Sequence, residues 1–156
     1  PHTILPVQGD PAYAPPEQIY GYSPSDWNLR HFGCDAYLMG SMIVYFFSDA
    51  SVTSLLLAHL DAQYHPGRWT DTYPAVLPYL RNAFAHTMET IASDLPGEFQ
   101  SDLSAAIRQL CDPDPDLRGH PRTRVQVGNP LALERYVSLF NQLARKAELK
   151  VYRASL

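Results

Sequence analysis

A chain of 156 residues, 46% hydrophobic and 18% charged, carries enough apolar residues to bury a core and too few charges for a disordered segment. Its net charge of −4 argues against a nucleic-acid partner. Its longest apolar run, Tyr37 to Phe47, falls short of the roughly 20 residues that cross a bilayer, so no membrane partner is expected either.

Six of the 14 prolines lie in the first 24 residues, which predicts an irregular segment over residues 1–13. Pro15-Pro16-Glu17-Gln18-Ile19-Tyr20 starts a short helix, because proline is tolerated in the first turn. Gly21 to Arg30 reads as a loop around Ser23-Pro24-Ser25-Asp26. A helix from about Asp35 to Phe47, apolar on all sides, is expected to be central and buried. Ser51 to Ala62 forms a second helix, broken by His65-Pro66-Gly67-Arg68, with Trp69 anchoring the loop. Val76, Leu80, Phe84, Met88 and Ile91 recur at helical spacing and predict a helix from Val76 to Ala92, with Pro78 in its first turn. Leu95-Pro96-Gly97 stops it. Glu98 to Cys111 follows, ended by Asp-Pro-Asp-Pro. Thr123 to Val127 carries the chain's one strand-like pattern. Asn129-Pro130 reads as a cap with proline at the first helical position, opening a last helix from about Leu131 to Leu149. The fold class is all-α.

Charge is unevenly spread. Residues 1–117 hold 4 Lys+Arg against 14 Asp+Glu, a balance of −10, and residues 118–156 hold 8 against 2, a balance of +6. The basic end either neutralises the acidic body or meets an acidic partner. Cys34 and Cys111 lie far apart in apolar helical patterns and read as free buried thiols of a reducing compartment, which makes the expected location cytoplasmic. The opening residues show no secretory signal, and a start on proline reads as processing or truncation. The six histidines show no zinc spacing, and no Gly-x-Ser-x-Gly elbow supports a hydrolase triad.

Three segments carry a resemblance. Gly9-Asp10-Pro11-Ala12-Tyr13-Ala14-Pro15-Pro16-Glu17, then Cys34-Asp35-Ala36-Tyr37-Leu38-Met39-Gly40, then Asp114-Pro115-Asp116-Leu117-Arg118 occur in the order and spacing of a eukaryotic-type protein kinase C-terminal lobe. The chain resembles a divergent member of that family over about residues 8–125. The resemblance implies one kinase-like domain over 1–156. Residues 1–21 would be the activation-segment end and a short helix, 34–125 a helical core and 129–150 a basic C-terminal helix.

It further implies that Glu17, closing an Ala-Pro-Glu-like motif, pairs with Arg118, and a buried carboxylate does need such a partner. Gly9, Asp10, Tyr13, Ala14 and Pro15 would form a substrate-side wall, although Asp10 stands where the family usually has threonine. Asp35 would open the central helix and receive backbone hydrogen bonds from a catalytic loop, and Gly40 would permit close helix packing. Tyr37 and Leu38 depart from the tryptophan and serine of the family pattern.

Only 13 residues precede Ala14, leaving no room for the glycine-rich loop, nucleotide lysine, catalytic loop or magnesium aspartate. ATP and magnesium are therefore implied only for a longer parent, and no cofactor and no metal for this chain. The expected partner is a missing N-lobe or another protein. An apolar face left open by its absence offers a homodimer contact. The alternative is a stand-alone helical binding or regulatory module without enzyme activity, whose residues Pro1 to Val7 would order against its own core. Residues Ala50 to Ser93 exceed a minimal lobe, as either extra core helices or a docking insertion.

Overall fold

The computed structural model describes residues 9–126 and 131–155, and among these every regular element is helical. In chain order they are α1 (Pro16–Ile19), α2 (Trp27–Ser48), α3 (Val52–Ala58), a 3-10 turn (Ala62–Tyr64), α4 (Tyr73–Asp94), α5 (Gln100–Leu110), α6 (Pro121–Gln126) and α7 (Glu134–Ala154). The expected all-α class holds. The region 1–8 and the Asn129-Pro130 cap lie outside the described residues.

Helix α2 is longer at its start than the apolar run suggested. Asp26 caps it, its Oδ1 accepting from Leu29 N at 3.0 Å, so the stretch expected to be loop up to Arg30 is already helical from Trp27. At the other end Asp49 takes the left-handed conformation, φ 51°, and its N–H bonds Tyr45 O. Asp35 therefore sits well inside the helix and is exposed; it does not open it.

Helices α3, α4 and α5 pack on one side of α2, and α4 also packs on α3 and α5. The core draws on all of them through Tyr37, Val44, Leu56, Leu80, Met88 and Ile107, each less than 2% exposed. The stretch between Ala50 and Ser93 builds core helices, α3 and most of α4. Helix α4 begins at Tyr73, earlier than expected, because Pro74 falls in its first turn where no N–H is needed. Pro78 then lies inside the helix, where it forfeits one backbone bond.

Two further expectations fail. Helix α2 is not buried all round: its inner face is Gly33, Ala36, Tyr37, Gly40, Ser41 and Val44, while Leu38, Met42, Tyr45 and Phe46 stand exposed. Neighbouring helices reach it from one side only. The strand-like Thr123–Val127 is helical through Gln126, because Pro121 opens a turn in which His120 O accepts from Thr123 N and Arg124 N, and His120 Nδ1 accepts from Arg122 N. Residue 127 lies outside the described residues.

The last helix lies over α5. It buries only Tyr136 and Leu143, and Tyr136 donates to Gln109 Oε1 at 3.0 Å. Lys150 meets Glu98 at 2.7 Å and Lys146 comes within 3.8 Å of Asp102, so part of the basic end neutralises the acidic body of its own chain.

Candidate functional site

The loop after α5 is wound by its own carboxylates. Asp112 Oδ1 accepts from Asp114 N at 2.9 Å and Asp114 Oδ1 from Asp116 N at 3.0 Å, the side-chain turns that Asp favours. Tyr73 donates to Pro113 O at 2.6 Å, and Arg81 pairs with Asp114 at 2.7 Å. Arg124 holds the far side, donating to the carbonyls of Asp116 and Leu117. Gly119, at φ +98°, sends its N–H back to Gln109 O. Between these fixed points Arg118 is turned inward and fully buried.

Every N–H of its guanidinium finds an acceptor. Nη1 and Nη2 meet Glu17 Oε1 and Oε2 at 2.7 and 2.8 Å, the two-pronged carboxylate geometry that only arginine offers. The second proton of Nη1 goes to Gly33 O at 3.0 Å, and Nε and Nη2 share Asp112 O at 3.1 and 3.0 Å. Five donors are thus used, the full complement of the group. The Tyr37 ring lies 5.1 Å from Arg118 Cζ, within cation–π reach. Burial alone would lower the Arg118 pKa; the charge and hydrogen bonds of Glu17 outweigh it and hold the pKa above its ordinary value. Three segments far apart in sequence, α1, α2 and the loop after α5, are locked at this one point.

The stretch that precedes Glu17 is pinned nearby. Asp10 and Tyr13 close a turn, with Ala12 N on Asp10 Oδ1 at 2.9 Å and Tyr13 N on Asp10 O at 3.0 Å. Ser51, the cap of α3, donates to Ala12 O, and Thr53 donates to Ala14 O at 2.7 Å while its Oγ1 also contacts the Tyr37 hydroxyl at 2.9 Å. Gly9 and Asp10 are exposed and Tyr13 partly so, its ring edge-on to Tyr45, while Ala14 and Pro15 are buried. Residues Gly9 to Pro15 thus run from solvent into the core, anchored by the start of α3.

Gly40 sits where α2 crosses the end of α5. A Cβ there would lie 2.9 Å from Leu110 Cβ and closer still to Cys111 Sγ, so only glycine fits without movement. Cys34 is half-buried and accepts a long contact from Gln18 Nε2 at 3.4 Å; Cys111 is fully buried. Burial pushes both thiols up, most strongly Cys111.

Of the residues singled out by sequence, Glu17, Arg118 and Gly40 meet at or beside the node, and Gly9 to Pro15 lie next to it. Asp35 does not join them. Sequence reasoning missed the carbonyls of Gly33 and Asp112 and the hydroxyls of Ser51, Thr53 and Tyr37. Backbone acceptors leave no trace in residue type, whereas Thr53 and a tyrosine inside an apolar helix were available signals.

A separate cleft of about 700 Å³ opens between α5 and α7, lined by Asp102, Gln109, His120, Thr123, Arg135 and Gln142 among others. Its charges are of both signs. Among the described residues no three His, Cys, Asp or Glu side chains are placed to hold a metal. No family model, curated protein or solved structure matches the chain.

Proposed function

We propose that the chain is the C-terminal helical lobe of a protein-Ser/Thr-kinase-like protein, belonging to an ATP-dependent phosphotransferase and not competent alone. The observation that carries this reading is the buried Glu17–Arg118 pair, which joins an Ala-Pro-Pro-Glu segment to an Asp-Pro-x-x-Arg turn across 101 residues. In this reading the pair holds the ridge Gly9 to Pro15 at a fixed height above α2, where a substrate chain would lie against it. Asp10, exposed on that ridge, supplies a carboxylate in place of a hydroxyl.

A second reading, a stand-alone helical binding module, is favoured by the open apolar side of α2. The segment Pro1 to Val7, which would separate the two, lies outside the described residues. Intact mass and N-terminal sequencing of the protein from its natural source test the choice. A polypeptide extended upstream of Pro1 that transfers phosphate from ATP supports the first reading. One that begins at or near Pro1 and gives no heat with magnesium-ATP overturns it and leaves the binding module.

A further inference from the structure

The open side of α2 has an unusual composition. From Ala36 to Ser48 the helix holds no charged residue. Leu38, Met42, Tyr45 and Phe46, spaced to share one strip, are 39, 55, 43 and 74% exposed. Tyr13 widens the strip beside Tyr45, and Asp35 and Asp49 bracket it at either end. Soluble monomers keep mostly scattered apolar residues on their surface, and the largest contiguous patch, such as this strip, is often functional.

Its size can be set against what a dimer needs. With side chains of about 150–250 Å² each, the exposed fractions leave on the order of 500 Å² of largely apolar surface per copy. Two such faces supply roughly 1,000 Å², about the area a specific interface has to clear. The strip is also compatible with itself. It has no charge to repel its own image, and a twofold axis makes one patch serve both copies.

We propose that this face is a homodimer interface in which two α2 helices pair antiparallel about an axis near Met42. That register sets Phe46 of one copy against the partner's Leu38 and brings Asp35 towards the partner's Asp49 at the wet rim. Like charges at the rim repel, and salt screens them, so association tightens as salt is added. A contact between the basic helix α7 and the acidic body of another copy would respond in the opposite sense. The proposal holds under either reading above, because a lobe without its N-lobe leaves the same face open, and the kinase-like reading is tested separately by ATP chemistry.

Sedimentation equilibrium of the 156-residue chain at low and high salt decides it. The expected result is a monomer–dimer equilibrium with a micromolar Kd, tightening with salt. Phe46→Glu and Met42→Glu, both at exposed positions, should each raise Kd at least about tenfold while leaving the circular dichroism spectrum unchanged. A chain that stays monomeric at high micromolar concentration overturns the proposal. So does a dimer that survives both substitutions, or one that dissociates in salt.

Discussion

The two sides of α2 invert the usual expectation about which residues go inside. The outer side carries the apolar residues Leu38, Met42 and Phe46 and is exposed; the inner side carries Gly33, Ala36, Gly40 and Ser41 beside Tyr37 and Val44, and is buried. What selects the inner side is closeness of approach. At Gly40 the end of α5 arrives at a distance no side chain would allow, and at Gly33 the backbone carbonyl is bare enough to meet a buried guanidinium. Hydrophobicity alone ranks the outer side first, whereas steric fit and assigned hydrogen bonds rank the inner side first.

The largest break in this contrast comes at Arg118. Arg118→Ala strands Glu17 without its counter-charge and leaves the carbonyls of Gly33 and Asp112 short of donors, and should cost roughly 3–5 kcal/mol. Urea unfolding followed by circular dichroism measures it. Replacing both partners together, Glu17→Leu with Arg118→Met, removes the stranded charge and should recover most of that loss, because a buried ion pair owes much of its apparent strength to the penalty of breaking it. A single-variant loss below about 1 kcal/mol, the value of exposed pairs such as Lys150–Glu98, would show that the node is not dry.

Next in size is a pair of glycine substitutions with opposite signs. Gly40→Ala drives a methyl into Leu110 and Cys111, an overpacking that costs about 1–3 kcal/mol and outweighs the helix propensity gained. Gly33→Ala places its methyl 3.7 Å from Arg118 Nη1, an ordinary contact, so propensity decides and the variant should gain up to about 1 kcal/mol. Thermal melts of both variants under one condition give the comparison. Equal signs would refute the claim that α5 approaches α2 most closely at Gly40.

The same contrast explains what could be read from the sequence. The helical segments were legible where apolar residues recur at helical spacing, as in α4 and α5, and the pairing of Glu17 with Arg118 was legible only through the resemblance of their two motifs to the protein kinases. The sidedness of α2 was not, because an all-apolar run carries no phase. Its start was hidden by Asn28, Arg30 and His31, which mask the periodicity that Asp26 nonetheless caps. Asp35 was misplaced for the same reason. Within the strand-like pattern, Thr123 to Gln126 was decided by contacts outside it: His120 caps the turn, and Arg124 reaches back to Asp116 and Leu117. Local propensity is a weak guide when such contacts compete with it.

The smallest expected effect tests the loop that supports Arg118. Burial raises the carboxyl pKa of Asp112 above its ordinary 3.8, against the lowering from the Asp114 N–H and the nearby arginines. The folded state then holds this proton more tightly than the unfolded chain. Folding is accordingly coupled to proton uptake between the two pKa values, and stability falls as pH rises through that window. The favourable contribution is complete below the unfolded value and is lost once pH exceeds the folded one. Asp112→Asn keeps an acceptor for the Asp114 N–H and cannot ionise. It should therefore melt with the wild type in acid below the carboxylate range and at a modestly higher temperature near neutrality. A variant that melts lower than the wild type at neutral pH would mean that the Asp112 charge supports the loop, and that burial of this carboxylate is offset within the node.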